Sequence, residues 1–206
     1  MASVYDLKPA FQGLLRPLVR RLASLGVTAN HVTVSAFLAS LATGGLIASF
    51  PRAGWLLSLL APVLLARMAL NAVDGMLARE HGQKSTLGAF LNELGDVGSD
   101  AALYLPLALV PGFEPALVVA IVLLALASEM AGVLAAQLGA SRRYDGPMGK
   151  SDRAFVFGAL GLALGLGAPA GRWLTLVLAL VALLLGLTIV RRVRRGMAEI
   201  RARGGR

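Results

Sequence analysis

The most constraining feature of this chain is that ionisable residues stand inside apolar runs long enough to cross a bilayer. A hydrocarbon core about 30 Å thick needs about 20 apolar residues in a helix. Val32 to Phe50 forms one such run, stopped by Pro51 and Arg52. A second starts near Trp55 and passes Asp74 to reach Arg79. Ala101 to Val110 is too short alone and must borrow upstream residues, so the third span is expected over 87–110, carrying Glu93, Asp96 and Asp100. The fourth is Ala116 to Leu138, with Glu129 inside it. The fifth is Ala154 to Leu166, closed by Gly167-Ala168-Pro169, and the sixth is Trp173 to Val190.

Composition agrees. Of 206 residues 57% are apolar and 15% charged, against about 45–50% and about 25% in a soluble domain. Disorder is excluded, and the lack of Cys excludes a disulfide scaffold and a cysteine zinc site. The net charge of +9 would suggest nucleic acid in a soluble protein, but its distribution points instead to membrane lipids and to no nucleic-acid partner. With six spans, 17 of the 20 Lys and Arg collect on one side: the N-terminus, the 79–86 and 140–153 loops and the tail. Only Arg52 and Arg172 lie opposite, and Arg67 sits inside a span. The positive-inside rule then predicts a multi-pass protein of the cell inner membrane with both termini cytoplasmic.

Phe11, Leu14, Leu15, Leu18, Val19 and Leu22 recur at helical spacing opposite Lys8, Arg16, Arg20 and Arg21. They predict an amphipathic helix lying on the cytoplasmic leaflet, with a break or kink at Pro17. No apolar signal segment is visible in the first 25 residues. The expected architecture is a single all-α integral membrane domain over 1–206: an interfacial helix (1–27), a bundle of six transmembrane helices (28–196) and a basic tail (197–206). Gly158, Gly161, Gly165 and Gly167 predict close helix packing along the fifth span.

Intramembrane ionisable groups mark function by default. Asn71, Asp74, Gly75 and Ala78 fall within about a 100° arc, one face of a helix. Gly88, Asn92, Asp96 and Asp100 follow at intervals of four, with Glu93 beside them. Facing each other near the cytoplasmic ends of their helices, the two sets form an acidic, oxygen-rich pocket. Such donors suit Mg²⁺ or Mn²⁺, which take their remaining ligands from phosphate and water. Arg79 and Lys84 lie ready for a phosphate, and Gly75 and Gly88 admit a ligand close to the backbone. The chemistry indicated is metal-assisted reaction of a phosphate ester; the alternative is a polar network that only fixes helix packing. Arg67, two turns below Asp74 on the same face, can balance the pocket or pair with Glu129. Asp145 and Asp152 are expected to be solvated, and His31 and His81 receive no ligand role.

The pattern Asn71-x-x-Asp74-Gly75-x-x-Ala78-Arg79, eight residues, Gly88-x-x-x-Asn92-x-x-x-Asp96 resembles the signature of the CDP-alcohol phosphotransferases, D-x-x-D-G-x-x-A-R followed after eight residues by G-x-x-x-D-x-x-x-D. Six of the eight fixed residues are identical, and the first and third acidic positions are Asn. Thr28-Ala29-Asn30-His31-Val32-Thr33 is similar to the family's T-P-N-x-x-T, with Ala for Pro. The resemblance implies attack of an alcohol on the lipid-side phosphate of a CDP-linked lipid, usually CDP-diacylglycerol, releasing CMP. It implies Asp96 as general base, and Asp74, Asp96, Asn71 and Asn92 as metal ligands, with Glu93 and Asp100 as further donors. Asn30, Gly75, Ala78, Arg79, Ser85 and Gly88 take CDP-lipid-binding positions. A homodimer is implied as well.

The 140–153 loop contains Gly149-Lys150, which resembles an element of some phosphatidylglycerophosphate synthases. Lys150, Arg153 and Arg143 are therefore the acceptor-binding candidates, for an acceptor such as glycerol 3-phosphate or another polyol phosphate; the alternative is positive-inside charge without a ligand. Ser151 to Asp152 is a candidate N-cap for the fifth span. Two other functions stay open: an inactive family member acting as a membrane scaffold, because four carboxylates have become two, and a small cation-coupled transporter. The latter is disfavoured by acids at one end of the spans and by the lack of an inverted repeat.

Overall fold

The computed structural model describes residues 4–204, with side chains placed from residue 11 to residue 203. Seven helices follow one another, and there is no strand among the described residues: α1 (Val4–Ser24), α2 (Ala29–Ser49), α3 (Leu60–Glu80), α4 (Thr86–Tyr104), α5 (Pro115–Gln137), α6 (Lys150–Gly165) and α7 (Arg172–Gly204). Short 3₁₀ segments, Gly54–Leu59 and Leu105–Leu109, lead into α3 and follow α4. The second contains Pro106, whose missing N–H suits the change of winding.

Four stretches are long and apolar enough to cross a membrane: Ala29–Ser49, Gly54–Glu80, Pro115–Gln137 and Arg172–Arg203. The protein is thus a multi-pass helical membrane protein. α4 and α6 occupy the third and fifth expected positions, but α4 carries three acids and α6 has only 16 residues. An outward stripe on α7, Leu176, Leu180, Leu183 and Leu187, is left uncovered by protein, which suits lipid and not water.

Leu60, Leu64, Leu103, Leu107, Phe157, Leu178 and Leu185 make the main core, with Tyr104 stacked on Phe157 at 4.3 Å between ring centres. Two seams need small residues. A Cβ on Gly44 would fall on the Ala102 carbonyl of α4. A Cβ on Gly161 would lie 2.5 Å from the Leu57 carbonyl oxygen, and one on Gly165 2.5 Å from the Ser58 nitrogen. Gly167 differs from the expectation: with φ +98 it serves the turn after α6 and touches nothing.

α1 packs Val19, Leu15 and Leu22 against Val32, Val73, Met76 and Leu77, while Leu14 and Leu18 stay uncovered. Of the break or kink expected at Pro17, the break does not occur: α1 continues through it as one helix. Arg16 pairs with Glu80 at 3.1 Å and ties α1 to the end of α3. The Lys8 side chain lies outside the described residues. The expected separate tail at 197–206 is instead helical through Gly204, continuous with α7; Gly205 and Arg206 lie outside the described residues.

Candidate active site

Local capping brings three helix ends together. The Thr28 hydroxyl accepts from the His31 N–H at 3.2 Å, starting α2 with Asn30 and Thr33 on its first turns. α3 ends at His81, and Gly82, at φ +67, turns the chain. The Gln83 side chain then accepts from the Ala29 N–H at 2.7 Å. Ser85 caps α4 by accepting from the Gly88 N–H at 2.9 Å.

These ends enclose a cavity of about 380 Å³, within the range of small-ligand sites. Its walls include Asn30, Thr33, Asp74, Gly75, Ala78 and Arg79, and on the α4 side Lys84, Ser85, Gly88 and Asn92. All six expected CDP-lipid positions therefore share one cavity. The Arg79 guanidinium folds over Gly75, where a Cβ would lie 3.1 Å from its terminal nitrogens. At Gly88 a Cβ would lie 2.8 Å from the Asn30 Oδ1.

Asp74 is 4% exposed and accepts from the Thr33 hydroxyl at 2.8 Å. Asn71 donates to the Asp96 carboxylate at 3.3 Å, which joins the oxygen donors of α3 to those of α4. On its other side Asp96 pairs with Lys150 of α6. Among the described residues no three His, Cys, Asp or Glu side chains converge, so the donor set is two carboxylates and two amides. Oxygen-only donors of this kind fit a hard divalent ion that keeps water or phosphate among its ligands.

The remaining sequence candidates sit elsewhere. Asp100 is 5% exposed and held between Arg67 and Arg153, the latter at 2.6 Å. Arg67 thus pairs with Asp100, not Glu129, because α4 lies directly against its end. Glu93 binds Arg142 through both oxygens, at 3.1 and 2.8 Å. Arg153 is 1% exposed and divides its donors between Asp100 and Glu129. Arg143 pairs with Asp145 and with Glu199 of α7. Asp145, expected to be solvated, also accepts from Arg195 at 2.8 Å. Gly149 is the cap of α6, and Asp152 folds back to accept its N–H at 2.8 Å while staying exposed, as expected.

Sequence reading misses Gln83, Arg142 and Arg192 as structural partners. Gln83 and Arg142 lie in polar stretches that look like ordinary loops, and Arg192 looks like one more tail cation. Nothing local signals that Arg192 is 1% exposed and reaches Glu129 at 3.3 Å.

Known proteins are similar to this chain in sequence and in fold. The inner membrane protein YnbA of Escherichia coli is 45% identical over 195 residues, covering 93% of this chain and 95% of that one. An archaetidylinositol phosphate synthase of Pyrococcus horikoshii is 37% identical over 105 residues, 50% of this chain and 52% of that one. The crystal structure of Mycobacterium tuberculosis phosphatidylinositol phosphate synthase with CDP-DAG bound superposes with a TM-score of 0.69 at 26% identity, covering 87% and 92% of the two chains. The same synthase in complex with manganese and citrate gives 0.72 at 24% identity over 88% of each, a likeness of fold. Residues 26–190 match the family model for CDP-alcohol phosphatidyltransferase, a stretch that spans the cavity, the Asp96 contact and the six longest apolar runs, and the chain belongs to that family.

Proposed function

We propose that the protein transfers a phosphatidyl group from CDP-diacylglycerol to an alcohol, releasing CMP. The observation that carries this reading is the convergence of Asn30, Asp74, Gly75, Arg79, Ser85 and Gly88 on one cavity. The CDP group occupies the cavity, with Arg79 and Lys84 toward its phosphates. The relative with CDP-DAG bound supports this choice of donor.

The acceptor oxygen forms a bond to the lipid-side phosphorus. The bond from that phosphorus to the oxygen bridging to CMP breaks, and CMP leaves with that oxygen. The acceptor proton passes to the Asp96 carboxylate. Asn71 fixes the orientation of Asp96 from α3. Asp74, Asp96, Asn71 and Asn92 would hold the divalent ion, Mg²⁺ or Mn²⁺, which when bound neutralises charge on the pyrophosphate. Manganese in a related synthase supports a metal of this class.

The reading includes six spans with both termini cytoplasmic, α1 lying on that membrane surface, and a homodimer in the inner membrane. The uncovered Leu14 and Leu18 support the place of α1, and the name of the 45% identical relative supports the compartment. The test uses purified full-length protein in detergent with CDP-diacylglycerol, Mn²⁺ and a panel of alcohols. Acceptor-dependent CMP release with formation of a phosphodiester lipid is expected. No CMP release with any alcohol at saturating metal overturns the proposal.

A further inference from the structure

The contacts of the Asp96 carboxylate fall on one of its two oxygens. Oδ1 accepts from the Asn71 amide at 3.3 Å and from the Lys150 ammonium, and a terminal nitrogen of Arg67 lies 3.7 Å from it. Among the described residues nothing donates to Oδ2. Asp74, the other carboxylate of the donor set, lines the CDP cavity together with Asn92, whereas Asp96 and Asn71 are not among its lining residues. The oxygen donors are thus divided. Asp74 and Asn92 face the cavity, and Asp96 lies beside it under a resident cation.

Lys150 is held in place by its neighbours. It is the first residue of α6, after the Gly149 cap that Asp152 closes. One turn on, Arg153 is 1% exposed and grips Asp100 with two nitrogens, at 3.0 and 2.6 Å. Asp100 follows Asp96 by one turn of α4. Side chains of α6 therefore meet α4 on two rungs, Lys150 on Asp96 and Arg153 on Asp100. The buried rung fixes the height of the other. The Lys150 and Asp96 side chains each keep 25% of their surface open, so a substrate can still approach them.

Many sites for reactions at phosphorus hold two divalent ions about 3.5–4 Å apart. Carboxylates around and between such ions offset their mutual repulsion. Here two of the four oxygen donors, Asn71 and Asn92, are amides. An amide oxygen can ligate an ion but cancels none of its charge. A second dication on Asp96 would share that single carboxylate with the Lys150 ammonium. Like charges this close, at a half-buried site, are poorly screened by water. The ammonium already supplies a fixed positive charge at that point.

Building on the metal-assisted transfer proposed above, we infer that this chain binds a single divalent ion, and that the Lys150 ammonium on Asp96 Oδ1 takes the place of a second. Oδ2 is left for the ion or for the acceptor proton. The two amides and the lysine belong together, because a donor set with fewer negative charges needs fewer metal charges. Two of the three N–H donors of Lys150 remain for an acceptor, so this role leaves acceptor binding open to it.

The test counts ions. Full-length protein in detergent, with CDP-diacylglycerol and no acceptor, is titrated with Mn²⁺ and followed by electron paramagnetic resonance. One bound Mn²⁺ per chain, with the spectrum of an isolated ion, is expected. Asn92→Asp combined with Lys150→Met adds an anionic ligand and removes the ammonium, and a second, spin-coupled ion is expected. Asn92→Asp combined with Lys150→Arg keeps the cation and should bind one. Lys150→Met alone should lower kcat at least about tenfold, and Lys150→Arg should recover most of it. Two coupled ions in the wild type overturn the inference, as does a single ion in the folded Asn92→Asp, Lys150→Met protein or an equal loss of kcat in Lys150→Met and Lys150→Arg. The wild-type count decides the number of ions even where the double variant fails to fold. Ions are counted without turnover, so this failure is distinct from failure of the transfer reading, which shows as no CMP release with any alcohol. No bound Mn²⁺ at all overturns both.

Discussion

Arg67 holds α4 at two successive turns: one terminal nitrogen pairs with the Asp100 carboxylate, and the other donates to the Asp96 main-chain carbonyl at 2.8 Å. The arginine is 4% exposed. Asp96 is thus positioned through its backbone by a buried group that also lies 3.7 Å from its carboxylate, which Lys150 meets from α6. Asp100, four residues on, is spent entirely on structure.

Removing the Asp100 charge should therefore act on stability. Asp100→Asn leaves Arg67 and Arg153 buried without a full counter-charge, a loss of about 3–5 kcal/mol. Thermal unfolding in detergent checks this, and an unchanged midpoint would remove Asp100 from its structural role.

Asp96 and Asp74 should behave differently. Asp96→Asn cannot take up the acceptor proton, and a loss of at least about 10²-fold in CMP release is expected. Asp74→Asn should abolish turnover by leaving α3 with no charged ligand at the cavity. Both variants should unfold near the wild-type midpoint. Full turnover in Asp96→Asn contradicts its role as base.

Metal dependence should carry the mark of the two amides. A chelator should abolish CMP release, and Asn92→Asp should lower the Mn²⁺ concentration giving half-maximal rate, since an added anionic oxygen strengthens a hard-ion site. A metal titration of both proteins measures it.

Gly88→Ala tests the cavity wall. The new Cβ displaces the Asn30 amide, a side chain that can move without disturbing the backbone. The KM for CDP-diacylglycerol should rise about tenfold, worth about 1.4 kcal/mol, with little effect on the acceptor KM. Equal effects on both substrates remove Asn30 and Gly88 from the CDP side.

The 141–145 loop should loosen in acid. Desolvation works against the charged form of Asp145, but hydrogen bonds from Arg143 and Arg195 hold its carboxyl below the ordinary value of 3.8. The clasp is complete above pH 3.8 and is lost as pH falls through the lower folded value. Amide exchange across 141–145, corrected for intrinsic rates, should accelerate below that point and stay flat from pH 5 to 7.

The cavity was legible in the sequence because its residues lie within three helix ends and one short turn. Spacing of three and four puts Asn71, Asp74 and Ala78 on one face, and the eight-residue gap to Gly88 spans the turn. The ion pairs were not legible. Asp100 and Glu93 read as spare metal donors until α6 and the loop before it, about 50 residues downstream, supplied Arg153 and Arg142. The length of α7 was hidden for another reason. The charged segment after Val190 breaks the apolar pattern but not the helix, because Arg192 turns inward to Glu129 and Arg195 and Arg203 find partners outside the apolar layer.

The buried pairs also order the birth of the molecule. A charged residue at the centre of a lone inserting helix costs about 2.5–3.5 kcal/mol, and on the six-span reading proposed above α4 brings Asp96 and Asp100 to the membrane together. Arg67 has already arrived with α3, so α4 enters beside a waiting counter-charge. Arg153 comes only with α6, fifty-three residues after Asp100. Between those moments Asp100 has only one of its two arginine partners, so a chain halted before α6 is half neutralised at its most buried carboxylate.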